Sequence, residues 1–253
     1  VLTAEQARVL AETTERWSRG YCHLTTRQNA QLHFIRLADV GPAMRRLAEA
    51  GLTTREACGN SVRNITACPL AGVCPREHTD VTKHLDGAVA HFLRNPLNQQ
   101  LPRKVKISFS GCEADCAQGL IHDIGIVATR RGERSGFTVL AGGGLGHKPH
   151  EAITVAEFIE EQDLLPAMEA VITLHNKYSD RSKRAKSRIK FLVDRFGEAG
   201  FIERFNARFA IAPARPDDRH WPLNVTPERL RAILCHREQR YVGQQLTLSY
   251  ERK

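Results

Sequence analysis

Four cysteines in two tight pairs, Cys68 and Cys74 in CPLAGVC and Cys112 and Cys116 in CEADC, constrain this chain more than any other feature of its sequence. The first pair lies in a loop whose Pro and Gly let it wrap around a ligand. The second follows directly on a segment that reads as a strand. An i, i+4 spacing predicts Cys112 and Cys116 on one face of a helical turn. Four thiolates from two such elements suit a [4Fe–4S] cluster or a tetrahedral zinc, with unliganded thiols as the third reading. Structural zinc sites favour roughly two to four residues between paired cysteines, whereas a cubane is wider and accepts looser spacing. Cys58 lies close to the first pair in sequence, while Cys22 and Cys235 read as ordinary thiols. Seven cysteines are an odd count, and disulfide frameworks of secreted proteins are usually even and shorter. The expected setting is therefore a reducing compartment, the cytoplasm.

The pattern around the cysteines is α+β. Ala4 to Trp17 reads as an amphipathic helix with Ala7, Leu10, Ala11 and Trp17 near one face. YCHLTTRQNAQLHFI is strand-forming, and Val40 to Ala50 is helical with Gly51 as its C-cap. A helix is expected from about Asp80 to Arg94. Lys104 to Ser110 alternates, with Val105, Ile107 and Phe109 on one face and Lys104, Lys106 and Ser108 on the other, as in a half-buried strand. Strands are expected at 124–129 and 136–140. Helices follow from Val155 to about Tyr178, broken near Pro166, and from Ser182 to Phe196, with Gly197 at its end. APARPDDRHWP, beyond residue 210, reads as a linker, followed by a weak helix from Pro227 to Cys235 and one strand. No run approaches the roughly 18 apolar residues that span a bilayer. The opening VLTAEQARVL has no charged segment leading into an apolar one, so no secretory signal is expected, and a start without Met suggests a trimmed chain.

A net charge of +9 has three readings: nucleic acid, an acidic protein partner such as a small electron carrier, or a polyanionic ligand. The basic residues are spread along the chain, and aromatics for base stacking make up only 6% of it. Arg27 in TTRQNAQLH and Arg63 in GNSVRNITACP stand in distinctive surroundings, and Lys104 and Lys106 point the same way from one strand. Singly, each reads as a solvated surface cation. Converging on a pocket, the four would bind a small oxyanion and donate protons to it.

At these residues the chain resembles the siroheme-containing sulfite and nitrite reductases. TTRQNAQLH, GNSVRNITACPLAGVC, LPRKVKISFSGCEADC, LAGGGLG and YSDRSKRAKSRIKFLVDRFG stand in family order across residues 20 to 200. The resemblance implies a ferredoxin-like unit over 1–53, a siroheme and [4Fe–4S] domain of mixed α/β type over 54–200, and an extension over 201–253. It implies that Cys68, Cys74, Cys112 and Cys116 ligate the cluster, and that Cys116 also bridges to the siroheme iron. Arg27, Arg63, Lys104 and Lys106 would surround the distal face, where sulfite or nitrite binds. Siroheme carries eight carboxylates, which accounts for a basic chain. Gln31, His33, Asn64 and the backbone of Gly142, Gly143 and Gly144 are its expected contacts, and Arg181, Arg184 and Arg188 form a basic stripe.

The familiar reductases of this type are about twice as long, with basic residues in one half and cysteines in the other. Here one chain carries both. A homodimer is expected, each site taking cysteines from one protomer and cations from the other; the alternative is a separate partner half. No G-x-G-x-x-G fingerprint is present, so electrons are expected from ferredoxin or another low-potential donor. Two other functions share the pattern: an electron-transfer module without siroheme, and a cobalamin-precursor enzyme on the same scaffold. A zinc-stabilised nucleic-acid binder ranks last, and neither nucleic acid nor membrane is expected as a partner. Sulfite and nitrite call for the same positive pocket.

Overall fold

The computed structural model describes residues 2–209. The expected linker, the helix from Pro227 to Cys235, the final strand and Cys235 itself lie outside the described residues. The chain opens with α1 (Ala4–Trp17), started by a capping box in which Gln6 N donates to Thr3 Oγ1 (3.1 Å) and Thr3 N donates to Gln6 Oε1 (3.0 Å). Its buried face differs from the expected one: Val9, Thr13 and Thr14 point inward, while Ala7 and Ala11 are exposed. The two threonines are tolerated inside because their hydroxyls donate back to the Val9 and Leu10 carbonyls at 2.7 and 2.6 Å.

The strand-forming stretch that follows is a short hairpin, β1 (Cys22–Leu24) antiparallel to β2 (Ala30–Leu32), with Cys22 opposite Leu32. TTRQN forms its tip, closed by Thr25 N to Asn29 O (2.9 Å) and Gln28 N to Thr25 O (3.0 Å). Helix α2 (Val40–Glu49) packs against α1, and Arg46 bonds Glu12 across the pair at 2.8 Å. It ends in a Schellman motif, Leu52 N to Leu47 O (3.0 Å) and Gly51 N to Ala48 O (2.9 Å). Gly51 has φ +75°, a conformation open to glycine at little cost.

The second sheet has five strands in sequence order: β3 (Thr66–Ala67), β4 (Ile107–Ser110), β5 (Ile124–Arg131), β6 (Arg134–Ala141) and β7 (Ile153–Ile159). The first three run parallel, and β5, β6 and β7 pair antiparallel. Helix α3 (Thr82–Phe92) makes the crossover from β3 to β4. Helices α4 (Leu164–Tyr178) and α5 (Ile189–Phe209) pack together, and Phe92, Phe109, Phe137, Phe201 and Phe205 fill the core between helices and sheet.

Three expectations need correction. Strand β4 is not half-buried: Ser108 and Ser110 are as enclosed as Val105, Ile107 and Phe109 in this central strand, and the Ser110 hydroxyl is covered by Asp115 and Ala117. Val155 begins no helix; it lies in β7, and Pro166 stands in the first turn of α4, where a missing N–H costs nothing. The helix expected from Ser182 begins only at Ile189, while Gly197, at φ +69° and ψ 164°, breaks it where its end was expected, and a second helical segment after the break buries Phe201 and Phe205. Among the described residues no helix is long and apolar enough to cross a membrane.

Candidate active site

Both cysteine loops leave the same end of the sheet, the C-terminal ends of two parallel strands. Strands β3 and β4 are parallel neighbours, with Ala67 beside Phe109, and each runs directly into a cysteine pair. Cys68 N donates to Phe109 O (2.8 Å), and His78 N donates to Gly111 O (2.7 Å), so the loops are stitched to each other. The Cys68 thiol is in hydrogen-bonding contact with Cys116 and feels Cys74. Burial first, then these neighbours, push its pKa up, against the lowering effect of the Leu70 backbone. Cys112 is buried beside them in sequence, and Cys22, Cys58, Cys68, Cys74, Cys112 and Cys116 are all free thiols.

CEADC is not a helical turn. It is a pair of tight turns broken at Asp115, whose φ is +47°. That carboxylate accepts from Ser110 Oγ (2.7 Å) and Gly119 N (2.8 Å), while Ser110 Oγ accepts from Ala117 N (3.1 Å). The backbone on both sides of Cys116 is thereby fixed. Among the described residues no three His, Cys, Asp or Glu side chains gather round one point as a single-ion site requires. A cubane spreads its four thiolates more widely and suits this loop pair.

The cations come from three places: Lys104 and Lys106 just before β4, Arg27 in the tip of the β1–β2 hairpin, and Arg188 just before α5. The hairpin tip is anchored by Gln28 Nε2 to Ala67 O (2.6 Å), and Arg27 Nη2 reaches Asn64 O and Ile107 O. Asn64 returns a bond, Nδ2 to Arg27 O (2.9 Å). Arg27 Nη1 is buried and has no hydrogen-bond partner in the protein, a donor left for a ligand. Burial lowers the Arg27 pKa to about 10, with nearby Arg188 adding to the effect and Asp123 opposing it. Burial also lowers Lys104 and Lys106; Arg63, Arg103 and Arg188 depress the first further, and Arg27, Arg188 and Lys104 the second.

One cavity of about 610 Å³ collects these groups: Arg27, Lys104, Lys106, Arg188 and Cys116 all line it, with Leu145 and Gly146 at its rim. A single chain therefore brings the last cysteine and these cations to one cavity. Arg63 stands outside this lining. It is half-buried, donates to Gly59 O (3.0 and 2.8 Å) and Ala57 O, and acts on Lys104 through its charge. Gln31 is exposed on β2, and His33 is exposed with its ring near His23 and Phe34. Asn64 serves Arg27.

Two of the three amides in the glycine run are engaged within the fold. Gly142 N donates to Asp123 O and Gly144 N to His150 O (3.0 Å each). A Cβ on Gly143 would lie 2.3 Å from Leu120 O and 2.5 Å from His122 O, so the run packs tightly against the turn after Cys116. Of the basic stripe, Arg188 enters the cavity, Arg181 bonds Gln100 O and Asn176, and Arg184 is exposed.

Sequence reasoning missed His122 and Asp123. His122 lines the cavity and bonds Gln118 O through Nδ1 (2.7 Å). Its pKa falls to about 4, from burial first and then from Arg27 and Lys106, so it is neutral at pH 7. The only sequence signal for the pair is a polar HD step directly before an apolar strand.

Residues 58–212 match the family model described as the nitrite and sulphite reductase 4Fe-4S domain, and residues 1–50 match the nitrite/sulfite reductase ferredoxin-like half domain. An assimilatory ferredoxin-dependent nitrite reductase from Haloferax mediterranei is 33% identical, over 83% of this chain and 38% of its own length. A sulfite reductase [ferredoxin] 1 from Mycolicibacterium paratuberculosis is 33% identical, over 91% of this chain and 42% of its own length. Among solved structures, the NirA protein of Mycobacterium tuberculosis superposes with a TM-score of 0.78 at 30% identity, covering 87% of this chain and 41% of that one. The chain thus spans about two-fifths of the length of these relatives.

Proposed function

Because the chain belongs to the nitrite and sulphite reductase family, we propose that it binds a [4Fe–4S] cluster and a siroheme and carries out the six-electron reduction of sulfite to sulfide or of nitrite to ammonia. The observation that carries this reading is the single cavity lined by Cys116, Arg27, Lys104, Lys106 and Arg188. Its chemistry fits the two groups: Cys116, which interacts with the Cys68 thiol, and cations with an orphaned buried donor on Arg27. Cys68, Cys74, Cys112 and Cys116 would hold the cluster, with Cys116 shared with siroheme, and the carboxylates of siroheme would meet the basic walls. When bound, the cluster stores electrons and siroheme iron offers the site at which the anion is reduced.

The chain's own residues supply charge and protons. Arg27, held by Asn64, offers a fixed guanidinium to the anion. Arg63 adds charge from behind Lys104. Lys104 and Lys106 give up protons more readily than ordinary lysines, since burial and neighbouring cations depress their pKa values. As oxygen leaves the anion, these ammonium groups stabilise the growing negative charge and protonate it.

Electrons are assigned to ferredoxin or a similar acidic low-potential carrier, which a basic chain would attract over a distance. The working assembly is a homodimer or a complex with a partner half, in the cytoplasm. An anaerobic assay of the purified holoprotein with nitrite and with sulfite, driven by reduced ferredoxin, tests the reading. Ammonia or sulfide formed in step with donor oxidation is the expected result. A siroheme-loaded protein inert towards both anions overturns it.

A further inference from the structure

Asp123 is the only carboxylate among the described residues that is fully buried, at 0% exposure. It lies at the entrance of β5, beneath the cationic cavity. Oδ1 accepts from Arg188 Nε (3.0 Å), and Oδ2 accepts from Arg188 Nη2 (2.7 Å) and from the backbone N–H of Lys106 (2.9 Å). One carboxylate thus grips a cavity-lining guanidinium as a fork and also fixes the step of chain that carries Lys106. Space is kept for the fork: a Cβ on Gly144 would lie 3.0 Å from Arg188 Nη2. Stability does not call for such a pair, since apolar side chains of similar volume often serve as well in a buried site.

We propose that Asp123 is the positioning residue of the anion cavity, holding Arg188 and the Lys106 backbone so that their charges face the substrate oxyanion. This rests on the reductase reading above and adds a residue to it. Asp123 never meets the anion. It aligns the cations, and it is the sole carboxylate among the groups acting on Lys106, the others being Arg27, Arg188 and Lys104. Around Lys104 it stands alone against Arg63, Arg103 and Arg188. Without its negative charge both ammonium groups would deprotonate at lower pH.

The test compares wild type with Asp123→Asn, which keeps the volume and loses the charge. Nitrite and sulfite binding to the purified holoprotein is measured calorimetrically, and steady-state rates are measured across pH. The amide is expected to weaken anion binding about tenfold or more, as loss of a charged hydrogen-bond pair does. The alkaline limb of the rate profile should move to lower pH, a change that a purely structural role would not produce. Wild-type affinity together with a wild-type pH profile in a folded Asp123→Asn protein overturns the proposal. If that variant does not fold, Arg188→Lys decides, since it keeps the charge and loses the fork. Unchanged anion affinity in Arg188→Lys overturns the proposal, and weakened affinity supports it. A wild-type protein that neither binds nor reduces either anion instead removes the reductase reading itself.

Discussion

Arg27 and Asn64 hold each other through a reciprocal pair of side-chain to backbone bonds, and the guanidinium still has one buried nitrogen to spare. A lysine at this position would keep the charge and lose both the fork and its anchor. Arg27→Lys is therefore expected to raise the KM for the anion about tenfold or more while leaving the protein's melting temperature within a few degrees of wild type. Steady-state kinetics beside a thermal melt check both halves. At this scale the sequence pointed to residues where chemistry follows motif or spacing: the four cysteines, Arg27, and the lysine pair two positions apart that leads into β4. It was silent on Asp123 and His122, which stand between a turn and a strand where no period singles them out. Their roles come from what the fold lays against them, a guanidinium 65 residues further along in one case and the Gln118 carbonyl in the other.

Among the elements, the turn after Cys116 and the glycine run at the end of β6 are the tightest fit. Gly143→Ala would drive a methyl group into two backbone carbonyls, which cannot rotate away as a side chain would. The expected cost is about 3 kcal/mol or more, read as a lower midpoint in denaturant, together with a lower iron content because the displaced turn leads back to Cys116. An unchanged midpoint and full iron content would contradict this packing role. The misread elements share a cause. ITVAEFIEEQDLLPAMEAV has acidic and apolar residues that suit either a helix or a strand, and only pairing with β6 makes its first part β7. The hairpin tip around Arg27 escaped notice because its turn is closed by Thr25 and Asn29, without the Gly that usually marks one.

For the whole molecule, buried neutral histidines set the response to acid. His122 has a folded pKa of about 4 against an ordinary 6.5. His175 is also lowered, by burial first; its ring bonds Ser179 Oγ (2.8 Å) and Arg103 O (2.9 Å). Each takes up a proton more readily when unfolded, so their contribution is complete above pH 6.5 and is lost as pH falls below it. The part due to His122 is on the order of 3 kcal/mol by pH 4. Melting temperature should fall steadily across this window, and His122→Gln should flatten the slope without abolishing it, since His175 remains. An identical slope in the variant would sink this assignment.

One strand and its continuation carry Lys104 and Lys106 at one end and Cys112 and Cys116 beyond the other. At roughly 3.3 Å per residue, β4 acts as a measuring rod between the place where protons are delivered and the place where thiols meet. Deleting a single residue between Lys106 and Cys112 would barely alter composition, yet it would turn the lysines onto the side now held by Val105 and Ile107. Here the count of residues is as much a part of the machinery as their identity.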